Sequence, residues 1–100
     1  MTSIKVEGVS DLQPGENRTV QVNGLSIAFF NVNGELFAIG NSCAHRGGSL
    51  GDGFLEGDIV TCPLHGWQYD VKTGSCVMVP TASVPCFNVK KEGNDVFIEV

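Results

Sequence analysis

Basic residues are scarce in this chain. Six Lys and Arg stand against eleven Asp and Glu, for a formal charge of −5. A nucleic-acid partner calls for a basic patch against phosphate, so that class is excluded. Long apolar runs are absent too. No stretch approaches the roughly 20 apolar residues of a membrane span. The opening Met1-Thr2-Ser3-Ile4-Lys5-Val6-Glu7 alternates with charge like a strand and lacks the apolar core of a signal peptide. The expectation is a cytoplasmic protein with no membrane partner, and the sequon at Asn17-Arg18-Thr19 reads as chance. There is no Gly-rich dinucleotide fingerprint, no nucleophile–base pair and no second cofactor signature, which argues for a carrier rather than an enzyme acting alone. Histidine is scarcest of the chemistry-bearing residues, with two, beside four cysteines.

Both histidines lie beside cysteines, in Cys43-Ala44-His45 and Cys62-Pro63-Leu64-His65, with sixteen residues between His45 and Cys62. Two matched loops, each offering a thiolate and an imidazole, suggest one metal centre held from both sides. A structural zinc site also takes two Cys and two His, but usually pairs like with like, as C-x2-4-C and H-x3-5-H. Each loop here mixes the types. A 2Fe–2S cluster gives that mixture a reason, because each loop can send its sulfur to one iron and its nitrogen to the other. The pattern favours the cluster over a zinc-stabilised interaction module. A cluster-based redox sensor is a further reading, weakened by the lack of a DNA-binding motif.

The wider motifs, Cys43-Ala44-His45-Arg46-Gly47-Gly48 and Cys62-Pro63-Leu64-His65-Gly66-Trp67-Gln68-Tyr69-Asp70, resemble the two cluster-binding loops of Rieske proteins. The likeness runs on through Thr73-Gly74 to Val96–Val100 and implies a standalone Rieske [2Fe–2S] ferredoxin of the oxygenase-ferredoxin branch. Carried over by position, Cys43 and Cys62 bind the inner iron through sulfur, and His45 and His65 bind the outer iron through ring nitrogen. The resemblance further implies one electron carried from a flavin-containing NAD(P)H reductase to a terminal oxygenase or reductase. A small Rieske subunit of a nitrite reductase is the alternative within the family.

The chain departs from the Rieske proteins of respiratory cytochrome bc complexes. That branch ties its loops with a disulfide at positions held here by Gly48 and Leu64, and places a serine donor where Trp67 stands. Tyr69 matches the tyrosine that donates to a ligand cysteine there. Hydrogen bonds to cluster sulfurs favour the reduced state, so the lost serine places the expected potential toward the low end of the Rieske range, roughly −150 to +300 mV.

The fold class expected is all-β, a Rieske-like antiparallel sandwich or small barrel of eight to ten short strands. One domain is expected over residues 1–100, with a cluster-binding subdomain at about 41–80. Asn23-Gly24 and Asn33-Gly34 between apolar runs signal hairpins, since both residue types tolerate positive φ. Leu25, Ile27 and Phe29 share one face of the strand between them. Residues 41–57 look too rich in Gly and Ser for a regular element. Ile59–Thr61 reads as a strand, Gln68–Val71 and Ser75–Val77 as a hairpin, and Phe87–Lys91 with Val96–Val100 as another.

Gly47 and Gly66 are expected to let backbone approach the cluster. Pro80 falls where Rieske proteins have a loop covering the cluster, and Trp67 should pack beside the ligand loops. Arg46 reads as a solvated charge. Cys76 reads as a small apolar core residue and Cys86 as partly exposed. The acidic balance fits either steering toward a basic partner or mere solubility.

Overall fold

The computed structural model describes residues 3–43, 48–64, 66–79 and 81–99. Asn-Gly pairs set the first half of the chain. Strands β2 (Asn17–Val22), β3 (Leu25–Val32) and β4 (Glu35–Gly40) form a meander. Both turns are two residues long with positive φ at each: Asn23 51° and Gly24 80°, then Asn33 55° and Gly34 93°. That is the mirror-image turn whose twist matches the flanking strands. Asn31 Oδ1 accepts from Gly34 N–H at 2.8 Å and secures the second turn.

The amino-terminal strand β1 (Ser3–Val6) pairs with the last, β9 (Asp95–Glu99), which forms a hairpin with β8 (Cys86–Glu92). The result is a six-stranded antiparallel sheet, β1-β9-β8-β4-β3-β2. The sheet curls, so that residues of its two edge strands, Ile4–Glu7 and Val20–Asn23, line one shared surface depression. A second antiparallel sheet holds β5 (Phe54–Glu56), β6 (Ile59–Thr61) and β7 (Gln68–Asp70). The expected all-β architecture is what the chain adopts: among the described residues, six strands form a half-barrel and three form a smaller sheet against it. Among the described residues no helix is long and apolar enough to cross a membrane.

Strand β3 places Ile27 and Phe29 on one face, as expected, and buries its other face too. Every residue from Ile27 to Asn31 is buried, because β3 lies between two cores. Ile27 and Phe29 face the interior of the curl with Val6, Val9, Val22, Ala38, Val96 and Ile98. Ala28 and Phe30 face the other way, into a core shared with Ile39, Leu50, Val60, Tyr69, Val71 and the cysteines Cys43, Cys62 and Cys76. Burial of each large side chain is worth roughly 1.5–3 kcal/mol, so one face holds the curled sheet together and the other joins it to the small sheet. Leu25, expected on the apolar face, is exposed at the turn.

The segment at 41–57 also carries more order than its glycines suggest. A 3-10 turn at Leu50–Asp52 leads into β5. Leu50 supplies the reason, since its side chain is fully buried in the second core. The expected partner of β7 is not a strand, although Tyr69 bridges Cys76 and Val77 N–H donates to Gln68 C=O at 2.8 Å. Val100, expected in the last strand, lies outside the described residues.

Candidate iron–sulfur centre

Two candidate ligand loops, closed at matching positions, emerge from the second core. Asn41 C=O accepts from Leu50 N–H, Ser42 bridges Ser49, and Cys43 N–H donates to Gly48 C=O at 2.9 Å. These contacts close a narrow neck, with Cys43 and Gly48 as the last pair before the tip. The second loop repeats the plan. Thr61 pairs with Gln68, and Cys62 N–H donates to Trp67 C=O at 2.7 Å. In each loop a cysteine N–H bonds the carbonyl five residues on, so both thiols occupy the same position in matched hairpins.

Both thiols are buried, Cys43 at 4% and Cys62 at 2% exposure, within one apolar cluster. The loops also touch each other. A methyl group in place of the Gly48 hydrogen would stand 2.7 Å from Cys62 Sγ and 3.0 Å from Leu64 Cγ. Glycine at 48 is therefore what lets the first loop close over the second thiol. Gly48 and Leu64, which stand where the respiratory branch has its disulfide, face one another across the loops.

From below, Tyr69 on β7 reaches Cys43. Its ring is fully buried, and its Oη lies 3.2 Å from Cys43 Sγ. A phenol beside a metal-binding thiolate donates its proton, because the sulfur is then an acceptor only. Strand alternation produces this geometry. Leu55, Val60 and Tyr69 are cross-strand partners whose side chains pack into the core, which aims the Tyr69 hydroxyl at the base of the first loop.

Trp67 is partly buried and packs against the same core, as expected, and its carbonyl closes the second loop. Gly66 adopts φ 77°, so it is needed for the bend that follows His65 rather than for close approach to protein atoms. Gly48, which resemblance flagged only as a missing cysteine, does make a close approach, to the Cys62 thiol. His45, His65, Arg46, Gly47 and Pro80 lie outside the described residues.

Of the remaining cysteines, Cys76 is buried in the second core. Cys86 is exposed, with its thiol donating to Lys72 C=O at 3.2 Å. Partial burial, followed by the nearby Asp70 carboxylate, pushes its pKa up, which keeps it a neutral thiol.

The family model for the Rieske [2Fe-2S] domain matches residues 2–88. The chain belongs to the Rieske family. Such membership carries an iron–sulfur cluster with it, and the donor set suits one: two buried thiols, a phenol donor and a glycine cradle. Among curated Rieske proteins, the ferredoxin component of the naphthalene 1,2-dioxygenase/salicylate 5-hydroxylase systems of Ralstonia sp is 38% identical over 93 residues, covering 92% of this chain and 89% of the relative. Among solved structures, Sphingomonas yanoikuyae B1 ferredoxin superposes with a TM-score of 0.87 at 30% identity, covering 99% of both chains. A chain from the complex of reduced oxygenase and oxidized ferredoxin in carbazole 1,9a-dioxygenase gives a TM-score of 0.86 at 33% identity, covering 96% of this chain and 91% of that one. The relatives are thus ferredoxin components of dioxygenase systems. Likeness to a chain described as a nitrite reductase small subunit, with a TM-score of 0.84 at 21% identity, shows the fold alone.

Proposed function

We propose that this Rieske protein is a one-electron carrier of the cytoplasm, taking electrons from a flavin-containing NAD(P)H reductase and delivering them to a terminal oxygenase. The observation that carries the reading is the pair of matched hairpins, each opening on a buried cysteine and packed loop against loop through Gly48. Residues 41–80 act as the cluster-binding subdomain. In it Cys43 and Cys62 hold one iron of a single [2Fe–2S] cluster, and His45 and His65 hold the other.

When bound, the cluster supplies reversible one-electron chemistry, at a potential above that of all-cysteine clusters because neutral imidazoles replace two thiolates. The chain's residues set the conditions for it. The second core excludes water from the Cys43 and Cys62 sulfurs. Tyr69 holds its proton toward Cys43 Sγ, which stabilises negative charge there. The histidines, two and three positions after the cysteines in the sequence, provide the edge through which a partner exchanges the electron. With −5 formal charge, the carrier suits a partner presenting a basic surface.

The test is iron and acid-labile sulfide analysis, with EPR of the dithionite-reduced protein. About two of each per chain and a Rieske-type signal are expected. Zinc without sulfide after anaerobic purification would overturn the carrier.

A further inference from the structure

Only two polar residues among those described are buried outright, Asn31 and Asn41. Asn31 is explained by its turn. Asn41 stands two residues before Cys43, and its side chain is the centre of a polar clasp. Its Oδ1 accepts from Gly51 N–H at 2.7 Å, Thr19 Oγ1–H at 3.1 Å and Ser49 Oγ–H at 3.3 Å. Its Nδ2 donates to Ser49 Oγ at 3.0 Å.

The clasp joins the first ligand loop to a strand of the other layer. Thr19 and Asn17 project from the same face of β2, two residues apart. Asn17 Nδ2 donates to Gly51 C=O at 2.8 Å and Gly53 C=O at 3.0 Å. Gly51 is therefore held from both sides, its N–H by Asn41 and its C=O by Asn17. A Cβ at 51 would overlap the Thr19 hydroxyl, so this contact exists only with glycine there. Three residues earlier in the same limb is Gly48, the residue seated on Cys62 Sγ.

We propose that Asn41 is a positioning residue for the cluster: with Thr19 and Asn17 it holds the limb Gly48–Gly51 in ligand-ready geometry before any metal is present. The inference rests on the cluster reading above and adds that the site is preformed. The argument is one of cost. A buried amide stripped of its partners loses about 1–3 kcal/mol, so the clasp has one favoured arrangement, and none of its members is a thiol or imidazole that waits for iron. The Asn41 side chain thus fixes both limbs of the neck, at 41 and at 49–51, from protein contacts alone.

The test compares the full-length apoprotein and the cluster-loaded protein, native and with Asn41→Ala, Thr19→Val and Asn41→Asp. Asp keeps the acceptor oxygens, and Thr19→Val removes one donor at constant shape. In the native apoprotein the Gly51 amide should exchange slowly with solvent deuterium. Asn41→Ala should speed that exchange about tenfold or more, while amides of β8 and β9 keep their protection. In the loaded protein, Asn41→Ala should lose iron to a chelator about tenfold faster and broaden the EPR signal, Thr19→Val should fall between, and Asn41→Asp should restore both. A Gly51 amide that exchanges freely in the native apoprotein would overturn the proposal. So would Asn41→Ala retaining its iron and its EPR line shape unchanged. Should Asn41→Ala fail to fold, Thr19→Val gives the same comparison. If no sulfide-containing cluster loads into the native chain, the carrier reading fails, while Gly51 exchange still reports on the clasp.

Discussion

Replacing Tyr69 by Phe removes one oxygen from the centre and little else. The ring is fully buried among Val60, Val71 and Cys76, and Phe fills the same space. What is lost is the donor 3.2 Å from Cys43 Sγ. A hydrogen bond to a charged acceptor is worth about 1.5–3 kcal/mol. Only the part that differs between oxidation states moves the potential. The sulfur carries more negative charge when the centre is reduced, so the bond is stronger then. Taking the difference as about 1 kcal/mol, and about 59 mV per tenfold for one electron, Tyr69→Phe should lower the potential by about 40 mV. Protein-film voltammetry on the native and variant proteins measures this directly, with iron and sulfide content as the control for loading. An unchanged or raised potential in a fully loaded variant would refute the reasoning, because the phenol would then not be donating to a ligand sulfur. The native potential itself is expected toward the low end of the Rieske range, since Trp67 stands in place of a serine donor; a midpoint well above zero would contradict that.

Replacing either His45 or His65 by Ala should abolish the Rieske-type EPR signal, and a native spectrum in both variants would refute the ligand assignment. Gly48→Ala puts a methyl group 2.7 Å from Cys62 Sγ, so one loop must shift; cluster content after reconstitution should fall well below native, with the β8–β9 hairpin unaffected by NMR. Asp11 accepts from Arg18 Nη1 at 3.0 Å, and that hydrogen bond leads the causes that lower its pKa below the ordinary 3.8. A lowered carboxyl pKa contributes stability above the unfolded value that is lost as pH falls through the folded one. An NMR titration should therefore place Asp11 below 3.8, and Arg18→Ala should raise it.

The candidate ligands were legible because they are local. Cys43 and His45, like Cys62 and His65, are separated by one or two positions, and the chemistry needs only those residue types at those spacings. The Asn-Gly hairpins were legible for the same reason, since positive φ is a property of the turn residues themselves. Cys76 in the core and Trp67 beside the loops also followed from residue type and neighbourhood.

Features that depend on distant partners were not. The alternation that puts Ile27 and Phe29 on one face of β3 held, but burial of the other face comes from β6 and β7, thirty and more residues later. Order in the Gly-rich stretch at 50–56 depends on Leu50 finding the core and on Asn17 and Asn41 finding Gly51. That Gly48 meets the Cys62 thiol is decided only by the approach of the second loop.

The sequence alone, then, determined an all-β chain of short hairpins and a Cys/His set suited to an iron–sulfur centre. Both follow from interactions within a few residues, where spacing and backbone preference are sufficient. The tertiary structure alone decided that both thiols are dry, that Gly48 closes over one of them, and that an asparagine ties the loop to a strand twenty-two positions away. Those are matters of which surfaces pack together, and packing is settled by the whole chain.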